Sequence, residues 1–340
     1  MNRVLGWEVG DPIVEVDDLS VTFGGGRRAA KAVDGVSLAV EAGDIYAIVG
    51  ESGCGKSTLA YSLVDIIPPP GRVTSGEVRF KGRSLSRMSR SEINHVRAAE
   101  VAMVFQAAMN AFSPVITIGA HLDHTLEAHR GVFASDSEGR AYFRELLSLV
   151  RLPVERTWSA YESQLSGGMK QRAAIALALA LKPSVVVLDE PTTALDVLNQ
   201  RLMIDILANL DGSLGVTIIF VTHDLAVVAE LASKVAVMYA GRLVESGAVD
   251  DIFASGARRH PYVTGLTGAI PTVVGAPSDI RPVPGEVPNL ADLPPGCRFA
   301  PRCGLAEPVC GEVEPALVAD QRGHFVACHV VNRPLQVGSQ

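Results

Sequence analysis

The sequence lacks an apolar run long enough to cross a membrane. The longest, Ala173 to Leu181, stops at Lys182 and has about half of the ~20 residues that a spanning helix needs. It lacks an excess of positive charge: 30 Lys and Arg stand against 37 Asp and Glu, a formal net charge of -7, which argues against a general electrostatic grip on nucleic acid or acidic lipid. The opening, MNRVLGWEVGDPIVEV, has no basic region leading into an apolar core, so no secretory signal is expected. There is no internal repeat and no heptad run. Cysteine is scarce: Cys54 stands alone until Cys297, after which Cys303, Cys310 and Cys328 follow.

What is present is a chain of 340 residues, 48% hydrophobic, with a mean hydropathy of +0.25. A large α/β domain with a smaller appendage accounts for that length. Apolar content this high without a spanning segment suits a cytosolic protein that docks on something apolar.

Alternating stretches such as IVEVDDLSVTF and GVSLAVEAG predict half-buried strands, and short apolar runs such as DIYAIVG and SVVVLDE predict strands buried on both faces. Ser57 to Val64, Gly168 to Leu181 and Asn199 to Leu210 have the apolar spacing and polar starts of helices. Such alternation points to a mainly parallel sheet covered on both sides. The texture changes after Ile252, and Pro271 to Pro295 is rich in Pro, Gly and Val, as in a linker or a small irregular domain. A boundary is expected near Ala257, giving a domain over 12–257 and an extension over 258–340.

Between a predicted buried strand and a predicted helix lies AIVGESGCGKST, containing Gly50-x-x-x-x-Gly55-Lys56-Ser57. Glycine lets backbone N–H groups wrap phosphate oxygens, and the helix start adds its positive end. Gly50, Ser52, Gly53, Cys54 and Gly55 form that cradle, with Cys54 a small filler. Lys56 is placed to reach the β- and γ-phosphates, Ser57 to ligate Mg²⁺, and Thr58 to donate to phosphate. Further on, Val185 to Leu188 run into Asp189-Glu190. Neighbours on a strand point to opposite faces, so Asp189 suits the Mg²⁺ and Glu190 the attacking water. A solvated strand end is the bland alternative, and the phosphate loop upstream weighs against it. His223 also follows an apolar strand, where a lone His is more often a structural hydrogen-bonder.

The intervening LSGGMKQR, Leu165 to Arg172, makes the chain resemble the ABC ATPase family. That resemblance implies an ABC-type P-loop NTPase fold: a mainly parallel sheet, an antiparallel N-terminal β subdomain and a helical signature subdomain. It implies that Ser166, Gly167 and Gly168 grip the γ-phosphate of ATP held by an opposite subunit. It further implies that Gln106 senses Mg²⁺ and the attacking water while touching the membrane partner, that Asp196 in Ala194-Leu195-Asp196 joins the two ATPases, and that His223 contacts the γ-phosphate. Phe23 sits where the family stacks an aromatic ring on adenine, with a core aromatic as its rival. The resemblance covers about residues 12 to 255.

RRHPYVTGL, Arg258 to Leu266, and EVPNLADLPPGCRFAPRC, Glu286 to Cys303, resemble the C-terminal extension of the dipeptide and oligopeptide importer ATPases, a branch that also contains nickel and oligosaccharide transporters. By that resemblance the chain is a peripheral ATPase at the cytoplasmic face of the cell membrane. It powers import of peptides or similar solutes, with a second ATPase subunit in a heterodimer, two transmembrane permease subunits and an extracytoplasmic solute-binding protein, and no nucleic acid. Ala107 and Ala108 depart from the branch, whose members commonly carry an acidic residue and Pro there. Rival readings are a soluble ABC ATPase without a transport role, an exporter ATPase, and a non-catalytic subunit, which would have lost Glu190 or His223.

Cys297, Cys303, Cys310 and Cys328 lie in a tail with little aliphatic core of its own. Four thiolates there can hold an iron–sulfur cluster and anchor a region unable to fold by burial alone. The branch resemblance implies a four-iron (4Fe-4S) cluster; zinc, no metal, or disulfides are the alternatives. His324 and His329 are possible substitute ligands.

Overall fold

The computed structural model describes residues 3–4, 7–8, 12–26, 29–106, 111–254, 256–268 and 283–333. Arg3–Val4 pairs with Trp7–Glu8 in a short ladder, and two larger sheets organise the rest. The first is antiparallel: β1 (Pro12–Phe23) lies between β2 (Ala30–Glu41) and β4 (Arg72–Phe80). Its alternating residues put Ile13, Val33, Val36 and Phe80 inside and charged residues outside, the pattern of a sheet with one wet face.

The second sheet is the frame of the molecule. Five strands run parallel in the order β5 (Val101–Val104), β6 (Val185–Asp189), β7 (Thr217–Thr222), β3 (Ile45–Val49) and β8 (Lys234–Tyr239). Every residue of β6 and β7 is buried, because crossover helices cover both faces of a parallel sheet and leave no side for polar residues. Alternate side chains feed two cores. Tyr46, Ile48, Val185, Val187, Ile219 and Val221 pack toward the antiparallel sheet and α1 (Lys56–Ser62). Ala47, Val49, Val186, Leu188, Ile218 and Phe220 face a helical layer. That layer is α3 (Ile118–Ala128), α4 (Asp136–Leu149), α5 (Gly167–Leu179), α6 (Val197–Leu214) and α7 (Leu225–Leu231).

Local sequence explains where the helices begin. Ser89 and Glu92 form a reciprocal capping box at the start of α2 (Arg90–Ala99). Thr117, Ser135, Ser166 and Asp224 each cap the next helix through a side-chain oxygen. The predicted helices at Ser57, Gly168 and Asn199 are present and each starts one or two residues earlier, at Lys56, Gly167 and Val197.

Beyond β8 the frame turns antiparallel. β9 (Arg242–Ala248) pairs with β8, and the short β11 (Phe325–Val326) then pairs with β9 and with β10 (Val318–Ala319). The C-terminal segment therefore adds its strands to the central sheet. Its helix α8 (Pro261–Gly268) buries Tyr262 among Tyr239 and Phe299, with ring centroids 4.8 to 5.5 Å apart. Residues 271–282 of the expected linker lie outside the described residues.

Candidate active site

Because β5, β6, β7 and β3 run parallel and adjacent, the segments leaving their carboxyl ends emerge along one edge, which is where open α/β sheets bind ligands. Gln106 follows β5, Asp189-Glu190 ends β6, His223 follows β7, and the glycine-rich loop follows β3. Four stretches remote in sequence are thereby brought side by side.

The loop needs its glycines. Gly50, Gly53 and Gly55 all have positive φ, and a Cβ on Gly55 would run into the Ala32 carbonyl oxygen. A Cβ on Gly50 would lie 2.8 Å from Cys54 Sγ. Cys54 is wholly buried beneath the loop, and burial pushes its thiol up, so it fills space rather than reacts. Ser52 and Gly53 are exposed on the rim. Lys56, itself buried, donates its Nζ to the carbonyls of Gly50 at 2.8 Å and Glu51 at 3.0 Å. It thus lies folded back along the loop's concave side. Ser57 and Thr58 open α1 and remain partly exposed.

Ser57 Oγ donates to Asp189 Oδ1 at 3.0 Å, while Asp189 Oδ2 is buried without a hydrogen-bond partner. Burial pushes the Asp189 carboxyl up, since nothing in the protein fully satisfies its charge. A hydroxyl and a half-satisfied carboxylate are the hard oxygen donors that Mg²⁺ takes. The residues present therefore fit that ion.

Glu190 differs from its neighbour. Its backbone has a φ of 50°, a strained conformation for a side-chain-bearing residue. Its Oε2 accepts from Gln106 Nε2 and from Thr193 Oγ1, both at 2.8 Å, and His223 Nδ1 stands 3.5 Å from Oε1. Burial alone would raise this carboxyl, but the Thr193 hydroxyl, His223 and the Gln106 amide outweigh it and hold Glu190 below the usual carboxylate range. An ionised, positioned carboxylate is suited to orient water. Thr193 was not singled out in the sequence, although its place three residues after Glu190 brings it within reach.

Ser166 caps α5 by accepting from Met169 N at 3.4 Å, and it is exposed. Gly167 opens that helix; Gly168 is buried, and a Cβ there would lie 2.8 Å from Asn199 Oδ1. Asn199 in turn donates to Asp196 at 2.7 Å and 2.9 Å through its side chain and backbone. Asp196 is exposed beside Val197 and Leu198, which are 80% and 83% exposed. Signature turn and Asp196 loop thus form one linked surface with apolar residues on its rim. Phe23 ends β1 half-buried, its ring against Gly71 and Ile67 at the margin of the core.

Two family models match: "ABC transporter" over residues 33–193, and "Oligopeptide/dipeptide transporter, C-terminal region" over residues 244–310. The dipeptide transport ATP-binding protein DppD of Caldanaerobacter subterraneus is 44% identical over 95% of this chain and 99% of its own. This chain belongs to the ATP-binding subunits of dipeptide and oligopeptide ABC transporters. DppD of Escherichia coli is 40% identical, over 93% of this chain and 96% of its own. OppD of Bacillus subtilis, an oligopeptide transport ATP-binding protein, is 38% identical, over 92% and 87%. Among solved structures, the dimeric ATP-binding cassette MJ0796 bound to ADP and Pi has a TM-score of 0.61 and 29% identity, over 69% of this chain and 98% of its own. The mixed α/β cassette fold expected from the motifs is thus found, and the chain is an ATPase coupled to transport, using ATP and Mg²⁺. No described helix is long and apolar enough to cross a membrane.

The cysteine-rich part of this ABC ATPase requires a correction. All four thiols are free, and Cys297 N donates to Cys310 O at 2.8 Å, which brings those two residues side by side. Among the described residues, however, no group of three or more His, Cys, Asp or Glu side chains is spaced to hold a metal ion. Neither histidine is available as a substitute: His324 pairs with Glu245 at 2.9 Å, and His329 with the Val313 carbonyl at 2.8 Å. The premise that a metal must anchor this segment also fails. It borrows a core from the cassette, through the Tyr239, Tyr262 and Phe299 rings, the β9–β11 pairing, and the buried Arg298 and Arg302.

Proposed function

We propose that this chain binds ATP·Mg²⁺ along the carboxyl edge of its central sheet and hydrolyses it there to drive import of peptides or similar small solutes. The observation that carries this reading is the meeting of Ser57 with Asp189 and of Glu190 with Gln106, Thr193 and His223 at a single edge. Gly50, Ser52, Gly53, Cys54, Gly55, Lys56 and Thr58 take the phosphates, Ser57 and Asp189 hold Mg²⁺, and Glu190 and His223 act on the attacking water and γ-phosphate. Phe23 is the adenine platform.

Ser166, Gly167, Gly168 and Asp196 serve a second ATPase subunit. The exposure of Ser166 and Asp196 beside Val197 and Leu198 supports an interface between cassettes, as in the dimeric relative. Dimer closure would move two permease subunits, and hydrolysis would reset them. An apolar groove of about 350 Å³ beside Gln106, lined by Val64, Ile66, Ala102, Phe105, Phe112 and Leu177, suits a permease element. Phe105 there is 45% exposed. The departure at Ala107 and Ala108 lies outside the described residues. Peptide as solute rests on the DppD and OppD relatives, and an extracytoplasmic binding protein completes such an importer.

The test is co-expression of the full chain with its permeases and solute-binding protein. ATP turnover by the purified complex should rise when peptide-loaded binding protein is added, and vanish in Lys56→Ala. A chain that co-purifies with no membrane subunit and hydrolyses ATP alone would sink the transport reading.

A further inference from the structure

The segment that carries the cysteines also reaches the phosphate loop from behind. Arg302, next in sequence to Cys303, is buried, and its guanidinium meets Glu51 as a fork: Nη1 to Oε2 at 2.6 Å and Nη2 to Oε1 at 2.9 Å. The remaining donors are also used. Nη1 reaches Tyr239 OH at 3.3 Å, Nη2 the Val283 carbonyl at 3.3 Å, and Nε the Pro284 carbonyl at 2.6 Å. A fully satisfied, bidentate guanidinium is the most geometrically exacting way to hold a carboxylate.

Glu51 is the residue after Gly50, inside the loop. Its backbone is held as firmly as its side chain. Tyr262 OH, also from the C-terminal segment, accepts from Glu51 N at 2.9 Å, and the Glu51 carbonyl accepts from Lys56 Nζ at 3.0 Å. Among the described residues Arg302 supplies the only ion pair of Glu51. A loop with three glycines at positive φ loses much conformational freedom when it orders around phosphate. A fork anchored in a buried aromatic cluster removes part of that cost beforehand.

We infer that Arg302 is a positioning residue for the phosphate loop: by fixing Glu51 it holds the loop in its phosphate-binding shape, so the C-terminal extension sets the affinity for ATP. This rests on the reading of the loop as the ATP site. Arg302 touches no substrate, and its effect passes through Glu51 to the loop backbone and Lys56.

The experiment measures binding of a fluorescent ATP analogue with Mg²⁺, and steady-state turnover, for the full chain and for Arg302→Gln, Glu51→Gln, the double variant and Lys56→Ala. Arg302→Gln is expected to raise Kd and KM for nucleotide fivefold or more, with kcat at saturation within twofold of wild type. Glu51→Gln should do the same. Since both remove one interaction, the double variant should match either single one instead of multiplying them. Arg302→Lys, which keeps the charge and loses the fork, should recover only part of the affinity. If Arg302→Gln fails to fold, Glu51→Gln decides alone, because it leaves the other contacts of Arg302 in place. Affinity within twofold of wild type in Glu51→Gln, or singles that multiply in the double, would overturn the inference. Loss of the underlying reading has a separate signature: Lys56→Ala binding nucleotide as well as wild type would show that the loop is not the ATP site and take the inference down with it.

Discussion

Gln106 donates its side-chain amide to Glu190 Oε2 at 2.8 Å, across 84 positions of sequence. The contact ties the strand end beside the apolar groove to the carboxylate best placed to orient water. On the proposed reading it gives a physical route from the groove to Glu190, since displacing Phe105 also displaces its neighbour Gln106. The same carboxylate is held by Thr193 and His223, so three side chains fix its direction before any nucleotide arrives.

Glu190→Gln keeps the size of the side chain and removes its charge. Loss of a positioned general base typically costs ~10²- to 10⁴-fold. Turnover should fall by at least about a hundredfold with nucleotide affinity retained, so the variant should trap ATP. Gel filtration with radiolabelled nucleotide would detect the trapped form. Turnover within tenfold of wild type would remove Glu190 from the role assigned to it.

Asp189→Asn should act in the opposite sense on stability. The buried Asp189 carboxyl has one oxygen without a partner and is pushed up by burial, so in the ligand-free protein its charge works against the fold. The variant should melt at an equal or higher temperature without ligand, yet need far more Mg²⁺ for half-maximal turnover. A Mg²⁺ requirement equal to wild type would show that this carboxylate does not face the ion.

Gly168→Ala probes the signature turn. The added Cβ would stand 2.8 Å from Asn199 Oδ1, and Asn199 is the residue that organises Asp196. Overpacking of this kind costs ~1–3 kcal/mol, and here it falls on the surface assigned to the second subunit. ATP-dependent dimerisation should weaken more than nucleotide binding by the separate chain. Light scattering with and without ATP in the Glu190→Gln background would separate the two effects.

The candidate nucleotide edge was legible in the sequence because its chemistry is local: Gly50 to Ser57 and Asp189-Glu190 are contiguous runs, each after an apolar strand. Thr193 was missed because a hydroxyl three residues after a carboxylate has no distinctive pattern. The C-terminal extension was misjudged for a different reason. Its few aliphatic residues suggested a segment in need of a metal, whereas its stability comes from pairing across the chain. Arg302 meets Glu51 from 251 positions away, Arg298 meets Asp34 from 264, and β11 is two residues long. None of these has a periodicity to read.

The docking of that extension should depend on pH from both sides. On β9, Glu245 is wholly buried and faces His324 Nε2 at 2.9 Å and the backbone N–H of His260 at 2.6 Å, with Asp320, Asp251 and Arg259 acting nearby. The hydrogen bond to Glu245 raises His324, against burial, and burial raises Glu245. The pair therefore keeps its proton to higher pH than a free histidine. His260 behaves oppositely. Burial lowers it to about 4, and its Nδ1 already accepts from Tyr262 N at 3.1 Å, so protonation there would break that bond. The signs follow by linkage. The contribution of His324 is complete below its unfolded value of 6.5 and is lost as pH rises through its raised folded value. The contribution of His260 is complete above 6.5 and is lost as pH falls toward about 4. Thermal midpoints of the full chain should thus decline on both sides of a maximum near neutrality. His324→Gln should flatten the alkaline limb and leave the acid limb, and His260→Gln should do the reverse. If both variants keep both limbs, the pH dependence belongs to other groups, and the Glu245 network does not govern how the extension holds to the cassette.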